Sequence, residues 1–180
     1  MLWNRGWWAV LIIAAICGCT TVTSVAPVGE RPQELSPEDW AGTWISKEQP
    51  IKIRVEEPRQ GLLQVAWVEE KGGRLQFDSY QVELRAAGEW TFGNVKAKEG
   101  PAPYFWALVK NDEGQIIIWS PDPAQFRKLV QTGVLPGKVD QGGDVVLEKL
   151  TPAHLKAMMS GDRGVCFEWR KPLVFFRLGK

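Results

Sequence analysis

Apolar residues recur with a period of two over most of the chain, and that period predicts strands. Ile51, Ile53 and Val55 alternate with Lys52 and Arg54; Leu63, Val65 and Trp67 alternate with Gln64 and Ala66; Trp90 and Phe92 keep the same rule. A half-buried strand needs this alternation, because successive side chains point to opposite faces of the sheet. The diglycine of Lys71-Gly72-Gly73-Arg74 predicts a tight hairpin, and Asn111-Asp112-Glu113-Gly114 predicts a turn that pairs Tyr104–Lys110 with Gln115–Ser120. Strands in this order form a meander. Between Leu75 and Leu84 the apolar phase moves from Leu75 and Phe77 to Tyr80, Val82 and Leu84, which predicts a β-bulge near Asp78-Ser79. Val145–Leu150, Val165–Arg170 and Leu173–Leu178 complete a set of roughly eight to ten strands. Val174, Phe175 and Phe176 are apolar in succession and predict a strand covered on both faces.

At three places the period changes to that of a helix. Ser36-Pro37-Glu38-Asp39-Trp40 supplies a capping residue, a proline at the first helical position, acids in the first turn and an aromatic that can pack back on Leu35. Asp122-Pro123 is followed by Phe126, Leu129 and Val130, and Thr151-Pro152 by Leu155, Met158 and Met159. In both, the apolar residues form one face of an amphipathic helix, and Gly133 and Gly161 are the expected stops. The likeness of these starts reflects shared helix-capping physics; the flanking sequences do not repeat.

The amino-terminal pattern differs from all of this. Arg5 precedes a wholly apolar run from Trp7 to Ile16, the layout of a secretory signal. The run is shorter than the ~20 apolar residues a spanning helix needs. Ile16-Cys17-Gly18-Cys19 resembles the lipobox of bacterial lipoproteins. The resemblance implies cleavage before Cys19, a diacylglycerol on its thiol and acylation of the new amino terminus. Cys19 fits better than Cys17 as the acceptor, because Cys17 would put bulky Ile16 where the lipobox has a small residue. Several acyl chains anchor a protein stably where one is marginal. Thr20 after the cysteine, by similarity to enterobacterial lipoproteins, implies an outer-membrane anchor facing the periplasm. Thr20 to Glu34 has no period and several Pro and Gly residues, and is expected to be a flexible tether with a reach of roughly 20 Å. The expected organisation is a signal over 1–18, a lipidated cysteine and tether over 19–34, and one domain over 35–180.

Charge narrows the function classes. Loss of Arg5 brings the 22 basic residues down by one, level with the 21 acidic ones. Neutrality without a basic stripe argues against a nucleic-acid partner. With Cys17 removed and Cys19 acylated, Cys166 is left alone, so no internal disulfide is expected. Zinc sites take several Cys or His ligands at short spacing, and the chain has one histidine, His154, in the first turn of a predicted helix. Cys166 as a nucleophile would need an activating base; between Val165 and Phe167 it reads as a small core residue. No Gly-rich phosphate loop and no G-x-S-x-G is present. The chain therefore reads as non-enzymatic and free of metal or cofactor, with a hydrolase built on a cross-barrel carboxylate pair as the weaker alternative.

Gly42-Thr43-Trp44 after a short helical turn resembles the start of the lipocalins, and Arg177 on the last strand is similar in placement to the arginine that packs across that tryptophan. The resemblance implies an all-β fold: an antiparallel eight- to ten-stranded lipocalin-like barrel, here with short helices inserted between the later strands. It also implies a small hydrophobic ligand and barrel closure through Trp44 and Arg177. Trp44, Trp67, Trp90 and Trp106 are the candidate pocket residues; if strand alternation puts Trp67, Trp90 and Trp106 on one inner face, their rings either fill a solid core or line a cavity for a hydrophobic or amphipathic molecule. Against this stands simple core filling by large aromatic rings. A third expectation is an envelope scaffold that docks a protein partner around Phe126, Leu135 and the Gly-rich loop Val134–Asp144.

Overall fold

The computed structural model describes residues 20–47, 49–71, 74–97, 104–159 and 166–179. Trp7–Cys19, Gly72-Gly73 and Gly161, which carry expectations above, lie outside them. Eight strands form a closed antiparallel barrel: β3 (Gly42–Ser46), β4 (Gln49–Glu57), β5 (Leu62–Lys71), β6 (Arg74–Ala87), β7 (Trp90–Lys96), β8 (Tyr104–Asp112), β9 (Gln115–Trp119) and β12 (Leu173–Arg177). Each pairs with the next, and β12 returns to β3 with Arg177 opposite Trp44 and Phe176 opposite Ile45. Four further strands lie outside the ring: β1 (Val22–Ser24), β2 (Arg31–Pro32), β10 (Gly137–Val139) and β11 (Val145–Leu147). Helices Pro123–Gln131 and Pro152–Met159 stand between β9 and β12, and a single helical turn, Pro37–Trp40, precedes β3.

The sheet forks at β8. One edge of β8 pairs with β7, while its other edge pairs with β9 from Leu108 to Asp112 and with β1 at Tyr104 and Phe105. Where β9 leaves for the helices, β1 takes the freed backbone groups, and β11 and β10 add to it. Edge groups left open would need another partner.

This fork gives the molecule two cores, one on each face of the same strands. Inside the barrel lie Trp44, Ile51, Ile53, Leu63, Leu84, Val109, Ile116 and Phe175, capped by Leu35 and Trp40. Outside it, Phe92, Trp106 and Leu108 pack with Phe126, Leu135, Leu155, Met158 and Phe167 under the helices. The helix starts follow their capping chemistry. The Asp122 carboxylate accepts from the Ala124 and Gln125 N–H groups at 2.8 and 3.3 Å, and Thr151 Oγ1 accepts from the His154 N–H at 3.3 Å.

Four expectations are corrected. Thr20 to Glu34 is part of the domain rather than a tether: Val22–Ser24 is a buried strand and Val28 is 1% exposed. Its short apolar residues find partners that no local period announces. Asn94 fixes this arm, accepting the Val28 N–H at 2.7 Å and donating to the Val28 carbonyl at 3.0 Å. Arg85 donates to the Gly29 and Glu30 carbonyls, and Gly29, at φ +119°, lies so close that a Cβ there would collide with Arg85. No bulge occurs at Asp78-Ser79, because β5 and β6 pair without a shift from Lys71–Arg74 to Leu62–Glu83. The one irregularity of that region falls in β4, between Val55 and Glu57. Residues 166–170 form no strand and make a lone bridge from Phe167 to Pro121. Finally, β12 is not fully covered on both faces: Phe175 is buried, Val174 is half-buried and Phe176 is 51% exposed.

Candidate functional site

One end of the barrel is sealed by residues the sequence had singled out. Trp44 is fully buried, and its indole N–H donates to the Trp40 carbonyl at 3.0 Å. The Arg177 guanidinium lies 5.0 Å from the centre of the Trp44 ring. It also donates to the Glu38 and Ala41 carbonyls at 2.6 and 2.7 Å, which ties the last strand to the Pro37–Trp40 turn. Gly42, at φ +146°, lets the backbone bend under the guanidinium. Asn111 Nδ2 donates to the Asp39 carbonyl at 2.9 Å, and the Leu35 N–H donates to the Pro58 carbonyl at 3.0 Å. The Glu38, Asp39, Trp40 and Ala41 carbonyls of the short turn thus each accept a hydrogen bond from a side chain.

Two strands from Trp44, on the same barrel face, Trp67 stacks on Tyr80 with ring centroids 4.9 Å apart. The two strands that carry them are adjacent, with Trp67 opposite Ile51 on one side and Asp78 on the other. Trp67 packs against the barrel core beside Val65 and Val82. Its indole N–H is buried and has no hydrogen-bond partner among the described residues. A buried donor without an acceptor costs about 1–3 kcal/mol, so this position is one that an acceptor from a bound molecule would improve.

The four candidate tryptophans are divided between the two cores. Trp44 and Trp67 belong to the barrel interior; Trp90 and Trp106 belong to the outer core, with Trp106 5.3 Å from Phe126 and Trp90 5.5 Å from Phe167. The expectation of one inner face for Trp67, Trp90 and Trp106 is therefore corrected. The physical reason is Gly93. A Cβ at Gly93 would stand 3.0 Å from Val109 and 3.4 Å from Leu84, so the barrel is too narrow there for any large side chain. With Gly93 inward, Phe92 and Asn94 on β7 and Trp106 opposite Asn94 must point outward.

Other candidates are absorbed by structure. Phe126 and Leu135 are buried in the outer core and offer no docking surface. His154 Nδ1 accepts the Thr151 N–H at 3.2 Å, which makes the histidine part of a helix cap. Cys166 is buried in the outer core. Among the described residues no group of His, Cys, Asp and Glu is arranged to hold a metal ion. Tyr80, Asn94, Arg85 and Asp144 are contributors that sequence reading missed. The signal for Tyr80 lies in the register: Lys71 pairs with Arg74, and counting back along both strands puts Val65 opposite Tyr80, next to Trp67.

A closed eight-stranded antiparallel barrel of lipocalin-like layout, with an aromatic pair in its interior, is the class that the fold defines. Comparison with known proteins finds no matching family model, no matching curated protein and no matching solved structure.

Proposed function

We propose that this chain is a lipid-anchored lipoprotein of the cell envelope whose barrel is a non-enzymatic binding module for a small hydrophobic or amphipathic molecule. The observation that carries the reading is the Trp67–Tyr80 stack in the barrel interior, whose indole donor is buried and without a hydrogen-bond partner among the described residues, while the carbonyls of the Pro37–Trp40 turn are already engaged. An apolar body would lie along Val65, Val82 and the stacked rings, and a carbonyl or other acceptor would meet Trp67 Nε1. Calorimetric titration of the chain from Thr20 onward with fatty acids, phospholipids and muropeptides is expected to give saturable binding at micromolar ligand. Trp67→Phe should weaken that binding roughly ten-fold, since one hydrogen bond to a buried donor is worth about 1 kcal/mol or more. Absence of binding in all three series would defeat the module.

The anchor is tested separately. A metabolically incorporated fatty-acid probe is expected to label the full chain and to be lost in Cys19→Ser, and the labelled protein to sediment with the outer membrane on the periplasmic side. Label retained in Cys19→Ser would sink the assignment. One observation favours a second reading, a scaffold for another envelope protein: Phe176, 51% exposed, and Trp169, 39% exposed, leave apolar surface outside the barrel.

A further inference from the structure

We infer that the folded domain rests directly on the bilayer, with the corner built by Thr20, Thr21, Arg127 and the Asp140–Asp144 turn against phospholipid headgroups. The inference rests on the reading of Cys19 as the acylated residue and adds an orientation to it. Consecutive Cα atoms are about 3.8 Å apart, so Cys19 stands one residue from Thr20, and Thr21 is already held in the fold. The Thr21 N–H donates to Asp144 Oδ1 at 2.6 Å, and its hydroxyl donates to the same oxygen at 3.1 Å. The Val145 N–H donates to the Thr21 carbonyl at 2.8 Å, and Val22 then enters the sheet beside Val145.

The turn that receives Thr21 is itself closed. The Asp144 N–H donates to Asp140 Oδ1 at 2.8 Å, and the Asp140 N–H donates to the Asp144 carbonyl at 3.0 Å. Both carboxylates are thus engaged by N–H groups at the corner. Arg127 Nη2 donates to the Gly143 carbonyl at 3.1 Å, while its Nε is buried and without a hydrogen-bond partner among the described residues. Lys128 on the same helix and Lys138 on β10 are exposed, as is Asp140 in the turn. A spacer of fifteen loose residues would let the barrel tumble above the membrane; a chain folded from Thr21 onward leaves no such spacer. Strand β4 stands opposite β8 around the ring, four strands away in either direction, and so marks the far side.

The test uses the full, acylated chain in vesicles of phosphatidylethanolamine and phosphatidylglycerol that contain a headgroup-nitroxide lipid. In a Cys166→Ala background, a fluorophore is placed on Gln141→Cys in the turn or on Arg54→Cys on β4, both exposed positions. Quenching is expected to be several-fold stronger at position 141 than at 54. Equal quenching in protein whose intact mass carries the acyl chains would overturn the docked orientation and leave the anchor standing. Protein that lacks the acyl mass and floats free of vesicles would overturn the anchor, and the orientation with it.

Discussion

Trp44→Ala is expected to destabilise the barrel by about 3–5 kcal/mol, the range for deleting a large buried aromatic. Trp44 has no solvent exposure and stands in the first barrel strand, opposite Arg177 in the last. Three losses coincide. The ring leaves a cavity in the barrel core, the Trp40 carbonyl loses its indole donor, and the Arg177 guanidinium loses the aromatic face beneath it, a contact worth about 0.5–2 kcal/mol in itself. For a domain of this size the melting temperature should fall by roughly 10 °C. Lys52→Ala, an exposed change on the neighbouring strand, is the reference. A shift at Trp44 no larger than that at Lys52 would mean that ring closure does not run through this pair.

Phe126→Ala is expected to cost a similar amount, about 3–5 kcal/mol, but in the other core. Phe126 is fully buried, edge-on to Trp106 at 5.3 Å and to Phe167 at 6.3 Å, and it is the residue through which the Pro123–Gln131 helix holds the outer face of β8. Because the two cores lie on opposite faces of the strands, the damage should be local. Hydrogen exchange is expected to rise in the helix, in β10, in β11 and in β1, while amides of β4 and β5 stay protected. Exchange that rises evenly through the barrel would show instead that the two cores melt as one. The outcome bears on function, since β11 is what holds the arm leading from the proposed anchor.

Most individual elements were legible along the chain. The period-two runs around Ile51–Val55 and Leu63–Trp67 became β4 and β5, and Asn111–Gly114 became the β8–β9 turn, with Glu113 and Gly114 at positive φ. Both proline-headed helices start where their caps stand. These are local matters, decided by alternation, capping and turn chemistry within a few residues. The misreadings share one cause. Strand alternation says that two faces differ and not which of them lines a barrel, so the pattern alone leaves Trp90 and Trp106 open to the interior, whereas Gly93 between Phe92 and Asn94 leaves no room for them inside. In the same way, Val22 and Val28 look like linker residues until Val145 and Asn94 arrive from distant parts of the chain.

The amino-acid sequence by itself determined the kind and place of most elements, because these depend on periodicity, capping and turn chemistry read in place; the barrel class and the Trp44–Arg177 relation came from the resemblance of Gly42-Thr43-Trp44 and Arg177 to the lipocalins. Only the tertiary structure decided that the strands carry a core on each face, that Thr20–Glu34 belongs to the domain, and that Trp67 with Tyr80 is the aromatic pair inside the barrel. These depend on which face of a strand meets which partner a hundred residues away. That choice is made by the space the other side chains leave, and no local pattern records it.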